Sequence, residues 1–431
     1  MQVQHSGSQT AVFDQVDAIL HSPEAVQTFI REQFDRTSEY RPSRAMRLCL
    51  KLITHIKIGQ LDVILPDHRV LRFGGKADGP QALLRIHNDR FARRFMIGGQ
   101  LAFCEAYLDG DWSSPDLAAF FELIQRNAGA MREQLLGGKL SRFIGFVGRA
   151  LQRNSKRGAK KNIYQHYDIG NAFYGAWLDR SMTYSSAYFA DGITDLEGAQ
   201  LRKYEEMVRR LDLKKEHHVL EIGCGWGGFA EYAASTVGCK MTCITISQAQ
   251  HDYAVQRIER VGLSDLVEIH LQDYRDVQGQ FDRIASIEMF EAVGEAYWPT
   301  YFGTVKERLK AGGRAVLQII TIDDRDFEDY RKGADYIQRY IFPGGMLPSF
   351  KALSEQIEDA GLERGDHLSF GQDYARTLAL WNERFQAKWP ELNSGVLNER
   401  FKRLWEQYLA YCEAGFTVGS IDVIQIALDK K

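Results

Sequence analysis

From residue 162 onward the hydrophobic pattern of this chain alternates between two periods. Short apolar runs at 218–222, 240–246, 267–272, 281–287 and 313–321 have the length of buried strands. Between them, 195–211, 227–236, 248–261 and 297–310 repeat apolar residues every three to four positions, as a helix packed on one face requires. Strands alternating with helices predict a parallel sheet with right-handed crossovers, an α/β fold. Further helices are expected at 350–360 and 374–389, and a last strand over 420–427.

Upstream the pattern differs. Residues 1–35 read as polar and loosely ordered, and 36–140 as a smaller α+β unit. Within it, Leu61–Leu65 and Arg69–Phe73 flank Pro66-Asp-His68, a hairpin signal. Helical periods follow at 89–108 and 115–136. Residues 141–161 join the two parts and carry seven Lys or Arg and no acid, with Phe143, Val147 and Leu151 at four-residue spacing. A helix of that pattern can lie on an anionic bilayer surface or pack between domains. The expected divisions are therefore 1–140, 141–161 and 162–431, without internal repeats.

Composition narrows the picture. With 431 residues and 45% apolar content, two domains with large cores are affordable. A net charge of -3 gives no nucleic-acid signature. No run of eighteen apolar residues predicts a transmembrane helix, and no basic-then-apolar start predicts a signal peptide. The six cysteines contain no C-x-x-C pair, which suits reduced thiols in a cytoplasmic protein and gives no metal set.

The densest signal is Val219–Phe229, where a short strand runs into Gly223, Gly225, Gly227 and Gly228. Such a turn lets a ligand approach the backbone, and the following helix aims N–H groups at it. Gly223, Gly225 and Gly228 fit the spacing of a dinucleotide turn. That motif also asks for an acid after the next strand, and Ile246 is followed by Ser247-Gln-Ala-Gln250. Glu221 before the first glycine instead gives acid-x-Gly-x-Gly-x-Gly, the opening of an S-adenosylmethionine (AdoMet) site. After the third strand, Asp273 can accept the adenine amino hydrogen with Tyr274 on the ring, or can cap a turn. The fourth strand ends in Glu288-Met-Phe-Glu291, two carboxylates in an apolar run. Partial burial there makes them candidates for acid–base or electrostatic work. Polar aromatics precede the sheet: Tyr164 to Tyr174, with His166, and Thr183 to Phe189. Ile341–Pro348 is an apolar turn, either a cover for a hydrophobic ligand or a core loop.

Five ordered motifs resemble the cyclopropane fatty acid synthase family. They are His166-Tyr-Asp-x-Gly-Asn171, Thr183-Tyr-Ser-Ser-Ala-Tyr188, Glu221-Ile-Gly-Cys-Gly-Trp-Gly227, Met289-Phe-Glu291-x-Val-Gly294 and Phe342-Pro-Gly-Gly-x-Leu-Pro348. The match spans about 160–430, and 1–140 resembles the family's accessory domain. The resemblance implies a class I methyltransferase sheet, Rossmann-like and mostly parallel. It implies methyl transfer from AdoMet to a double bond of an unsaturated phospholipid acyl chain, then loss of a proton and ring closure, with bound bicarbonate as the base. By motif, AdoMet contacts fall on Tyr184, Ser185, Glu221, Gly223, Gly225, Gly227, Thr245, Gln250, Asp273 and Tyr274. Bicarbonate is framed by Ser186, Glu291, Gln318, Ile320 and Tyr374, with Glu291 accepting its O–H. Many members carry Cys at the position of Ser186 and His at that of Gln318, although the plant-type branch shares Gln. Methyl-branched or methylene products are the alternative outcome, and a lipid-binding protein without catalysis the other. A substrate in a bilayer implies peripheral attachment at the inner face of the cell membrane. The N-terminal unit is open to docking or to homodimer formation.

Overall fold

In a computed structural model of the chain, the described residues are 40–135 and 170–431, apart from 334 and 394–396. Residues 1–35, the basic segment 141–161 and His166 lie outside them. Two compact units meet in sequence at Ser141 and Arg142.

The first unit holds a four-stranded sheet in the order β2-β1-β3-β4, from β1 (Ile58–Ile64), β2 (Val70–Gly74), β3 (Ala77–Ile86) and β4 (Trp112–Ser113). The expected hairpin is β1–β2, antiparallel with Leu61 opposite Phe73. Alternation along β1 buries Leu61 and Val63. The helical pattern over 115–136 is two helices, Leu117–Arg126 and Ala128–Leu135, because Asn127 interrupts it. Its buried amide accepts from the N–H groups of Lys57 (2.7 Å) and Ile58 (3.1 Å) and donates to Ile58 O (2.9 Å) and Leu123 O (2.8 Å). A side chain that satisfies four backbone groups at once fixes where the helix stops.

The second unit is built on a seven-stranded sheet in the order β10-β11-β9-β8-β5-β6-β7. The strands are β5 (His218–Ile222), β6 (Lys240–Thr245), β7 (Val267–Leu271), β8 (Phe281–Ile287), β9 (Leu309–Ile322), β10 (Glu363–Ser369) and β11 (Ile421–Asp429). Strands β7, β6, β5, β8 and β9 pair in parallel, and β11 runs antiparallel to both β9 and β10. The fold is thus α/β with a mostly parallel sheet and helices, alongside an α+β unit. Apolar residues of β5, β8, β9 and β11, including Leu220, Ile284, Leu317 and Ile426, pack under Tyr301, Phe302 and Leu353. On the other face Val219, Met241 and Val316 meet Met207, Phe229 and Ala233. Burial on both faces explains the continuous apolar runs. Chain order reverses between β5 and β8, so the carboxyl ends of these two strands flank a crevice suited to a ligand.

Several elements lie beyond the expected set, among them β3, β4 and the helices Arg44–Ile53, Asn171–Trp177, Asp324–Tyr330 and Tyr336–Tyr340. The long helix Glu399–Val418 packs against Gly371–Leu392, and β10 forms a largely exposed edge. Among the described residues no helix is long and apolar enough to cross a membrane.

Candidate active site

At the end of β5 the chain turns through Gly223, Gly225 and Gly227 with φ of 82°, 54° and 81°, values that side-chain-bearing residues adopt only under strain. The N–H groups of Gly223 and Cys224 both donate to Ile244 O at 3.0 Å, tying the turn to β6. No atom lies within 4 Å of the point a Cβ on Gly225 would occupy. Trp226 Nε1 donates to Asn171 Oδ1 (2.8 Å), and helix Gly228–Val237 begins directly afterwards. At the end of β6, Thr245 Oγ1 donates to Gln250 Oε1 (2.9 Å), and both residues are buried. An open glycine cradle, a helix start and a neutral polar pair on the next strand suit a nucleoside with an amino-acid tail.

Three expected cofactor residues are placed differently. Glu221 is 2% exposed and lies with Cys243 and Lys203, one oxygen having no described partner. Burial pushes its pKa up to about 7. Asp273 caps the turn after β7, accepting from Arg275 N–H (3.0 Å) and pairing with the Arg275 guanidinium (2.6 Å). That is the capping alternative, and it occupies the carboxylate. Tyr274 is buried with its ring on Tyr301 (5.4 Å), inside the core.

Loop 183–188 and helix Gly371–Leu392 close the site from another side. Ser185 is buried, its Oγ accepting from Lys203 Nζ (2.7 Å) and its carbonyl from Gln200 Nε2 (2.9 Å). Ala187 N–H donates to Thr377 Oγ1 (3.1 Å). Tyr184 packs on Trp381 (5.3 Å) and Tyr174 (5.4 Å), with Phe342 at 6.5 Å. Tyr374 stacks on Phe416 (4.3 Å) and meets Trp381 edge-on (6.2 Å). The Ile341–Pro348 loop reaches the site too, Met346 N–H donating to Glu291 O (2.9 Å).

The carboxylate at the centre is Glu288, immediately after β8, and not Glu291. Glu288 Oε1 accepts from Ser186 N–H (2.8 Å) and Gln318 Nε2 (2.7 Å), and Oε2 accepts from Tyr374 Oη (2.5 Å). Three of the groups expected to frame bicarbonate therefore converge on a side chain of the protein. With those donors taken, the residues present do not fit a bicarbonate ion, which corrects that expectation. Glu291 sits one turn on, accepting Ile320 N–H (2.6 Å), and its other oxygen is buried without a described partner. Ser186 supplies its backbone N–H, while its hydroxyl donates to Ala187 O (2.9 Å). Replacing Cys by Ser at this position thus leaves the central donor unchanged.

Charge follows the donors. Burial raises the pKa of Glu288, opposed by its three hydrogen bonds and by Lys203. Burial and the Glu288 charge push Glu291 up to about 8. The negative charge accordingly rests on Glu288, and Glu291 holds a proton at neutral pH.

Two supporting residues escape motif reading. Gln425 on β11, in register with Gln318, donates from Nε2 to Gln318 Oε1 (3.0 Å) and so turns the Gln318 amide nitrogen toward Glu288. Lys203 is fully buried, and burial pulls its pKa down to about 8. A polar residue inside the apolar run Ile424-Gln-Ile426 was the available signal for the first. A lysine on a charged helix gave none for the second.

The stretch of chain that carries this site is shared with known proteins. Residues 154–426 match the family described as mycolic acid cyclopropane synthetase. The chain belongs to that family. It is 38% identical over 393 residues to the tuberculostearic acid methyltransferase of Mycobacterium tuberculosis, covering 89% of this chain and 90% of that protein. It is also 38% identical over 348 residues to the cyclopropane-fatty-acyl-phospholipid synthase of Escherichia coli, covering 80% and 87%. A mycolic acid cyclopropane synthase solved with SAH and CTAB superposes with a TM-score of 0.58 at 27% identity, covering 65% of this chain and all of that one (100%). The family member described here is an AdoMet-dependent C-methyltransferase with a class I methyltransferase fold.

Proposed function

We propose that this enzyme transfers the methyl group of AdoMet to the double bond of an unsaturated phospholipid acyl chain and closes a cyclopropane ring. The observation that carries this reading is the Glu288 cluster beside the glycine turn, within an aromatic surround. When bound, AdoMet supplies an electrophilic methyl group. The cofactor is held by the Gly223–Gly227 turn, with Thr245 and Gln250 at the neighbouring strand end. Tyr184, Trp381 and Tyr374 offer π faces that favour positive charge on the attacked acyl chain. Exclusion of water by Phe342, by Tyr408 (its hydroxyl 2.8 Å from that of Tyr184 and its ring 6.1 Å from Phe342) and by the 341–348 loop strengthens that attraction and prevents capture of the cation. A proton acceptor next to the cation then decides between ring closure and other fates.

A second reading is methyl branching. It is favoured by one observation: identity to the tuberculostearic acid methyltransferase equals that to the cyclopropane synthase and extends over more of the chain. Because the acyl chains lie in a bilayer, the enzyme works as a peripheral protein on its inner face. The basic segment 141–161 supports attachment to anionic lipid.

Expression in a host that makes monounsaturated acyl chains but no cyclopropane tests the proposal. Lipid extracts with ring-proton NMR signals support it. A branched or methylene chain moves the product to the second reading. Unchanged lipids, with AdoMet bound by the purified protein, refute both.

A further inference from the structure

The cradle that the family resemblance gives to a bound anion is filled here by covalent means. We propose that the Glu288 carboxylate is the enzyme's own proton acceptor, so that turnover requires no bicarbonate. This rests on the functional reading above and names a catalytic residue for it.

Several features support the assignment. Ser186 N–H, Gln318 Nε2 and Tyr374 Oη come from three separate elements and meet on this one carboxylate at 2.8, 2.7 and 2.5 Å. Convergence of that kind preorganises a negative charge. A carboxylate offers about four acceptor positions. Oε1 uses two and Oε2 uses one in the described hydrogen bonds, which leaves Oε2 able to take a proton. Gln425 holds the Gln318 amide in the donating orientation, and the charge of the buried Lys203 favours the ionised Glu288. The backbone at Glu288 is left-handed, with φ of 49°. A non-glycine residue adopts that region only at a steric cost. Strain of this sort is kept where the side chain's position matters. Its amide still donates to Gln318 O (2.9 Å), so the strand ladder is continued while the side chain enters the cluster.

The step balances without a further reactant. A C–H bond of the transferred methyl breaks, and its electron pair forms the closing ring bond. The proton passes to Glu288 Oε2 and later to water, leaving cyclopropane and S-adenosylhomocysteine. Glu291, protonated and held by Ile320 N–H, keeps a second negative charge away from Glu288.

The test uses the full chain with vesicles of monounsaturated phosphatidylglycerol, in buffer stripped of carbon dioxide and in buffer with added bicarbonate. Equal wild-type rates in the two buffers are expected. A rate that collapses without bicarbonate overturns the proposal. Glu288→Gly relieves the backbone strain and empties the cradle. Its rate in stripped buffer is expected to fall by about 10²- to 10⁴-fold, the range for losing a general base. Added bicarbonate or formate is expected to restore part of it. Glu288→Gln, which fills the cradle with an amide, is expected to bind AdoMet normally in titration and to resist rescue. Either variant turning over at the wild-type rate overturns the assignment while leaving the functional reading intact. Wild type that binds AdoMet but makes no lipid product removes the functional reading and this inference together.

Discussion

Replacing Glu291 by Gln changes one atom and isolates the titration of the buried carboxyl pair. In the folded chain Glu291 has its pKa raised from 4.5 to about 8 by burial and by the Glu288 charge. In the unfolded chain it titrates near the ordinary 4.5. Between those values the folded state binds more protons than the unfolded state, so stability is fully present below about pH 4.5 and is lost as pH rises through about 8. The slope is about 1.4 kcal/mol per pH unit while only one state is ionised. Summed over the window, the loss is on the order of a few kcal/mol, and it levels off above about 8. Gln keeps the acceptor for Ile320 N–H (2.6 Å for the native pair) and the shape of a protonated carboxyl, but does not ionise. Urea unfolding of wild type and Glu291→Gln across pH 5 to 9 is the assay. The variant is expected to match wild type at the acidic end and to become progressively more stable, by about 2 kcal/mol or more at pH 8. A difference that stays flat with pH, or a variant less stable at pH 8, refutes the placement of the proton on Glu291.

Other consequences follow from individual contacts. Gln425→Leu leaves Gln318 Oε1 buried without its donor, so a stability loss of about 1–3 kcal/mol in urea melts is expected. Turnover should fall with the apparent affinity for AdoMet unchanged, because Gln318 is no longer held toward Glu288. Gly223→Ala puts a Cβ 2.6 Å from Met289 Cγ at a φ of 82°, and titration calorimetry should show AdoMet affinity reduced about tenfold or more. Replacing Arg153, Lys156, Arg157, Lys160 and Lys161 with Gln should weaken sedimentation with anionic vesicles at low salt, and unchanged binding would discard the role given to that segment.

The core of the catalytic unit was legible because its strands are buried on both faces. Apolar runs over 218–222 and 281–287 coincide with β5 and β8, and the strand predicted at 313–321 extends only at its ends, to Leu309–Ile322. β10 was not legible. Its sequence, Glu363-Arg-Gly-Asp-His-Leu-Ser369, is an exposed edge with little to alternate. At the site, the sequence singles out both carboxylates of Glu288-Met-Phe-Glu291 without telling their environments apart. Two carboxylates three residues apart look equivalent along a sequence. The left-handed backbone at Glu288 and the tight turn over Phe290–Ala292 then send one into the donor cluster and the other to Ile320. The donor at Ser186 is backbone and so carries no side-chain signature. For Asp273 the local cap and the Arg275 pair outweigh a ligand role, a contest decided by two-residue geometry that spacing does not encode.

The most direct measurement feeds the purified enzyme vesicles of monounsaturated phospholipid and AdoMet whose methyl group is fully deuterated. The product is then read by mass spectrometry and NMR. Ring closure through proton loss from that methyl predicts a cyclopropane retaining two of the three deuterons, with one S-adenosylhomocysteine formed per ring. A product that keeps all three deuterons on a methyl branch would contradict ring closure. Formation of S-adenosylhomocysteine without any change in the acyl chains would contradict the assignment of the substrate itself.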